Sequence, residues 1–145
     1  MTSSITATIL GCGNSTGVPS IGDFWGVCDP NEPKNNRTRS SLALQSETTT
    51  LIIDTGPDFR EQMNREKIKT IDAALYTHEH SDHVNGMDEL RVMYFRRKAR
   101  VPVYANGSTL RDLTVRFPYL FNGGHHELYP AVLEPHEIPP EQFGK

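Results

Sequence analysis

Six consecutive residues, His78-Glu79-His80-Ser81-Asp82-His83, set three imidazoles and a carboxylate directly behind Ile71 to Tyr76, a mostly apolar run of strand length. Neutral imidazole nitrogen and carboxylate oxygen are the donors that borderline divalent ions such as zinc or manganese accept. In extended backbone, side chains at i and i+2 share a side, so His78 and His80 bind one ion together while Asp82 and His83 serve a second. Two ions roughly 3.5 to 4 Å apart deprotonate a water between them and clamp the attacked and leaving oxygens of a phosphoryl group. A chain built around this segment needs a strand that stops where a tight turn can fan the donors toward one point. Isolated histidines are usually structural; three within six residues, joined by Asp82, favour a metal.

The rest of the chain supplies such strands. Ile5 to Leu10 alternates β-branched and small residues before Gly11-Cys12-Gly13, and a long aperiodic loop rich in Gly, Pro, Asn and Asp runs on to Arg39. Ser41 to Gln45 and Thr49 to Asp54 are two apolar segments separated by Ser46-Glu47, which predicts a β-hairpin. Pro57 suits a first helical turn, and Phe59 with Met63 mark one face of a short helix reaching Lys67. Met87, Leu90 and Tyr94 recur at i, i+3, i+7 in a second helix ending in Arg96-Arg97-Lys98, cations that either complement the helix dipole or face a substrate. Val101 to Tyr104 reads as a strand, and Leu110, Leu113 and Phe117 as a third helix capped by Asn106 or Ser108 and stopped by Pro118. The order β-β-β-α-β-α-β-α is that of a layered α/β domain.

At 145 residues the chain has the length of one domain. A formal net charge of −3 gives no reason to expect a nucleic-acid partner, although a local site for one phosphate is compatible with it. Met1 to Leu10 carries no Lys or Arg and no long apolar stretch, so neither a signal peptide nor a membrane span is expected, and a cytoplasmic location is the default. Cys12 and Cys28 are too few for a disulfide framework and are read as free thiols.

The His-x-His-x-Asp-His loop at His78 to His83 resembles the signature of the metallo-β-lactamase superfamily. The likeness extends upstream through Leu51-Ile52-Ile53-Asp54-Thr55-Gly56 and downstream through Gly86-Met87-Asp88-Glu89-Leu90-Arg91. Gly11-Cys12-Gly13-Asn14-Ser15-Thr16-Gly17-Val18-Pro19 and Arg37-Thr38-Arg39-Ser40 are similar to the branch containing phosphoribosyl cyclic-phosphate phosphodiesterases of phosphonate metabolism. The resemblance implies a four-layer αβ/βα sandwich with two divalent ions, zinc or manganese, at one sheet edge. It makes His78, His80, Asp82 and His83 metal ligands, with Asp82 also catalytic. Some members hold a further structural zinc through cysteines in the N-terminal loop; Cys28 stands without near neighbours, so that site is not expected. The family completes its centre with a third His, a bridging Asp and a final His. His125, His126 and His136 are the later histidines here, and none has the third-ligand context, so those groups are expected beyond Lys145. The resemblance covers nearly the whole chain but about the first half of the family's domain, so residues 1–145 read as the N-terminal part of a longer one.

Several residues carry two readings. Asp54 either accepts from a metal-bound histidine from behind or caps the start of the following helix, and Thr77 either orients the loop or merely ends a strand. Gly11 to Gly17 lacks the dinucleotide and P-loop fingerprints, leaving a backbone that approaches a phosphate or a plain structural turn. Arg37 and Arg91 either receive a phosphate oxygen or form surface ion pairs. His125-His126, in a loop after Asn122-Gly123-Gly124, is read as exposed. The leading function is hydrolysis of a cyclic or otherwise small phosphodiester, on a nucleotide-like substrate, by metal-activated hydroxide. The alternatives are a transfer-RNA 3′-end endonuclease, which calls for a basic RNA-clamping extension, and a catalytically incomplete fragment that binds metal poorly.

Overall fold

The computed structural model describes residues 4–124 and 129–140. Six strands form one sheet in sequence order: β1 (Thr6–Gly11), β2 (Ser41–Gln45), β3 (Thr50–Ile53), β4 (Ala73–Leu75), β5 (Val101–Ala105) and β6 (Leu133–Glu137). β1, β2 and β3 are antiparallel neighbours, and β3 to β6 run parallel. The expected hairpin is present, with Leu42 opposite Ile53 and Gln45 opposite Thr50. Its turn closes through Ser46, whose hydroxyl accepts from the amides of Thr48 (3.3 Å) and Thr49 (3.1 Å).

Parallel neighbours need crossovers, and helices supply them: α1 (Phe59–Arg65) between β3 and β4, α3 (Leu90–Arg97) between β4 and β5, and α4 (Gly107–Arg116) with α5 (Pro118–Phe121) between β5 and β6. Alternation along the strands sends Ala43, Ile52, Ala74, Val101, Val103 and Leu133 into a single core with Phe59, Met63, Leu90, Leu110, Leu113 and Leu120. The other rows leave Ile9 (67%), Leu51 (37%) and Tyr104 (36%) exposed on a second apolar face. A sheet meant for water on one side carries polar residues there, so this apolar face has the character of one that packs against another layer. The chain accordingly supplies one sheet and one helical layer.

Three expectations need correction. The histidine segment is not wholly loop: Ser81–Val84 forms a short helix, α2, and Met87–Glu89 is a 3₁₀ turn leading into α3. The chain past Pro118 adds α5 and β6, which the expected element order lacked. β6 hides from pattern reading because it is an edge strand of sequence Leu-Glu-Pro-His-Glu in which only Leu133 is buried, and Pro is tolerated at an edge. Finally, Phe117 lies just past the end of α4, half-buried, while Thr109 takes a buried position on that helix.

Asn106 is the α4 cap, accepting from the Thr109 amide at 2.9 Å, and Ser108 instead donates to the Asn106 side chain. Arg96 and Arg97 lie in the last turn of α3, as the dipole reading expects, and both also reach beyond the helix. Arg96 donates to the Lys69 carbonyl, and Arg97 donates to that of Ile71 and lies 3.5 Å from Asp72, so both brace the approach to β4.

Candidate metal centre

The centre is assembled at the ends of β3 and β4. Asp54, directly after β3, adopts a left-handed backbone (φ 61°), a region in which Asp is among the least disfavoured non-glycine residues. Its amide donates to the Leu75 carbonyl (2.9 Å) and its carbonyl accepts from the Ser41 hydroxyl (2.8 Å). So held, the carboxylate turns toward the loop after β4 and is only 4% exposed. It accepts from the Thr77 amide (2.9 Å), the Thr77 hydroxyl (2.7 Å) and His83 Nδ1 (2.7 Å). Charge-assisted bonds of this kind offset burial of the carboxylate. Of the two readings, the structure shows the one in which Asp54 stands behind a histidine; the cap position of α1 belongs to Asp58.

These contacts fix tautomers. His83 donates from Nδ1 to Asp54, which in the neutral ring leaves Nε2 with its lone pair free. The Thr77 hydroxyl, having given its proton to Asp54, can accept only from His78 Nδ1 at 2.9 Å, which leaves the His78 Nε2 lone pair free as well. The rings of His78 and His83 lie 4.0 Å apart, centre to centre, and those of His78 and His80 lie 4.6 Å apart. His80 is extended (φ −64°, ψ 147°) and stands at the start of α2, whereas Asp82 and His83 lie within that helix.

His83 Nε2 faces Asp82 Oδ2 at 3.4 Å. Both atoms carry lone pairs, so the arrangement needs a cation or a proton between them. Ligand atoms about 2.0 to 2.2 Å from a tetrahedral ion stand roughly 3.3 to 3.6 Å from each other, so the pair has the separation of two ligands. The donor set therefore fits a divalent ion. It is not a closed cage: among the described residues, no three His, Cys, Asp or Glu side chains converge tightly enough to enclose an ion by themselves.

Packing beneath the loop is close. A Cβ on Gly56 would stand 2.2 Å from the Asp82 carbonyl oxygen, and one on Gly86 would stand 2.1 Å from the Gly56 carbonyl oxygen, so both positions require glycine. The Thr55 amide donates to the His83 carbonyl (2.8 Å) and the Gly86 amide to the Thr55 carbonyl (2.8 Å), stitching the end of β3 to α2 and to the turn that follows it. Under them Tyr76 is buried with its hydroxyl 2.6 Å from that of Thr55, and burial pushes its phenol well above the usual range.

Other expected groups go elsewhere. Arg91 forms the expected ion pair, with Asp88 at 3.1 Å, whereas Arg37 forms none among the described residues and donates instead to the Lys34 carbonyl (3.3 Å) and the Asn35 side chain (3.0 Å). The Gly13 amide is taken by the Thr38 carbonyl (2.7 Å) and the Gly17 amide by that of Asn14 (3.0 Å), which makes the glycine-rich loop a structural turn at those positions. Cys12 and Cys28 are free. His136 stacks on Tyr104 in β5, and His125 and His126 lie outside the described residues. No sequence pattern pointed to Ser41, which holds Asp54 from a neighbouring strand, or to Arg116, which reaches the loop from α4. Among the described residues no helix is long and apolar enough to cross a membrane.

Comparison with known proteins identifies the fold and the family. Residues 49–143 match the family model described as the beta-lactamase superfamily domain. A crystal structure of a diphosphatase from the PhnP family superimposes with a TM-score of 0.80 at 44% identity, over 92% of this chain and 50% of that one. Zinc-bound PqqB from Methylobacterium extorquens (TM-score 0.62, 22% identity, 92% of this chain and 46% of that one) and the short form of human tRNase Z (0.60, 23%, with the same shares) have the same fold. An octanoyltransferase of Porphyromonas gingivalis (strain ATCC BAA-308 / W83) is 40% identical over 114 residues, which are 78% of this chain but 23% of that protein. The chain thus spans about half the length of the solved relatives and less than a quarter of the octanoyltransferase. It belongs to the beta-lactamase superfamily domain family and supplies about half of the metallo-β-lactamase fold.

Proposed function

We propose that the protein is a metal-dependent hydrolase acting on a small phosphodiester, cyclic or nucleotide-like, with His78, His80, Asp82 and His83 holding two divalent ions, zinc or manganese. The observation that carries this reading is the pairing of His83 Nε2 with Asp82 Oδ2 at 3.4 Å while Asp54 holds the opposite ring nitrogen. Such ions, when bound, supply Lewis acidity toward phosphoryl oxygens and make water acidic at neutral pH. The protein's own part is preparation. Asp54 and Thr77 hold His83 and His78 through their Nδ1 atoms, which turns both Nε2 atoms toward a ligand. Asp82 brings a carboxylate to the same point, beside His83 Nε2, and is the group assigned to orient an attacking water.

The 44% identity to a diphosphatase supports phosphorus chemistry and favours, as a second reading, a diphosphate linkage as the bond cleaved. Hydrolysis of a 2′,3′-cyclic nucleotide, a nucleoside diphosphate ester and a precursor transfer RNA, each with zinc or manganese, tests the proposal. Turnover of the cyclic ester is expected. Preference for the diphosphate ester would move the assignment to the second reading, and cleavage of the RNA alone would overturn both. Metal-loaded protein inert on all three would mark the chain as catalytically incomplete.

A further inference from the structure

α2 is four residues long, too short to hold a helical conformation by its own hydrogen bonds, so its shape is imposed from outside. One support comes from β3 through Thr55 and Asp54. A second comes from the far side. Arg116, the last residue of α4, donates to the Glu79 carbonyl, to Ser81 Oγ at 3.2 Å and to Asn85 Oδ1 at 3.4 Å. A cation in the last turn ordinarily complements the carbonyls of its own helix. This one instead crosses to an element more than thirty residues earlier in the chain, with its guanidinium 5.6 Å from the Phe117 ring centre.

The three acceptors have a pattern. Glu79 separates His78 from His80, Ser81 opens α2, and Asn85 closes it. Fixing the Glu79 carbonyl fixes the peptide plane between Glu79 and His80, and with it the direction in which the His80 side chain leaves the backbone. Gripping Ser81 and Asn85 together holds the turn that presents Asp82 and His83. A planar fork of five donors on three nitrogens can span such acceptors at once, whereas an ammonium gathers its three donors on one nitrogen.

We propose that Arg116 is a positioning residue for the histidine segment, setting the geometry of His80, Asp82 and His83 without touching a metal or a substrate. Its effect on metal binding rests on the metal-site reading above; its effect on loop order does not. Arg116→Met keeps most of the apolar stem and removes the fork, and Arg116→Lys keeps the charge. Three readouts apply: zinc affinity by chelator competition, the visible absorption spectrum of the cobalt-substituted protein, and amide hydrogen exchange at Val84 and Asn85 in metal-free protein.

R116M is expected to weaken zinc binding roughly tenfold, the lower end of the range for groups that orient ligands, to change the cobalt spectrum, and to speed exchange at both amides. R116K is expected to fall between R116M and the parent. Parental affinity, spectrum and exchange in R116M would overturn the proposal, and the same result in R116K decides it should R116M fail to fold. If the parent protein takes up neither metal, the metal-site reading fails, and exchange alone decides the role of Arg116: faster in R116M supports it, unchanged refutes it.

Discussion

The loop that follows β1 and the segment that follows β4 both leave a strand end through polar, glycine-containing sequence, yet they use their polar groups in opposite ways. The first pairs its own backbone across the loop and fastens its end to α1. Val18 and Arg37 exchange backbone hydrogen bonds at 2.8 and 3.0 Å, and Ser40 donates to the Gly13 carbonyl at 3.2 Å. Arg39 binds Asp58 at 2.7 Å, and the buried Gln62 donates to the Arg39 carbonyl at 2.8 Å. In the second, neighbouring elements carry the backbone: Thr55 takes the His83 carbonyl, Arg116 takes that of Glu79, and Asp54 and Thr77 occupy one nitrogen each on His83 and His78. Side chains become available to a ligand where other parts of the fold satisfy the groups around them. A basic or glycine-rich loop that satisfies itself has little left to offer.

The difference breaks most visibly at Asp54. Asp54→Ala removes the acceptor that orients His83, and zinc affinity is expected to fall about 10- to 100-fold, measured by chelator competition; unchanged affinity would show that the ring needs no partner. Next comes the packing under the loop. Gly56→Ala places a methyl 2.2 Å from the Asp82 carbonyl oxygen, and a loss of about 1 to 3 kcal/mol is expected in urea denaturation.

Tyr76 gives a pH-dependent version of the same test. Burial raises its phenol above the value near 10 that it has in an unfolded chain, so the native state keeps the proton longer. Its contribution is complete below about pH 10 and is lost as pH rises beyond that. Tyr76→Phe should therefore show a shallower alkaline loss of stability, together with about 1 kcal/mol lost at neutral pH with the bond to Thr55. An identical alkaline profile would contradict the assignment. The smallest effect belongs to the loop after β1. Arg37→Ala should leave zinc affinity within about twofold of the parent and stability within about 0.5 kcal/mol; a large loss of affinity would return Arg37 to the site.

How much of this is visible in sequence follows from the range of the interactions. The ligand cluster is local, with four donors in six residues, and the strand feeding it announces itself by its apolar run. The hairpin and the faces of α1 and α4 are local in the same way, since periodicity and one capping Asn106 encode them. Asp54 and Thr77 were suspected on both sides of the centre, but only the fold shows that they meet. Ser41 and Arg116 gave no signal because their partners lie on distant segments. β6 is not legible because an edge strand of Glu, Pro and His lacks the alternation that burial imposes, and α2 is not because a single helical turn leaves no period to read.

The account stands on the histidine segment as a cation site, and a zinc titration of the purified chain beside an Asp82→Ala, His83→Ala double variant tests it most directly. Saturable binding by the parent, lost in the double variant while the far-ultraviolet spectrum is retained, is the expected result. Equal binding by both proteins, or by neither, would contradict it.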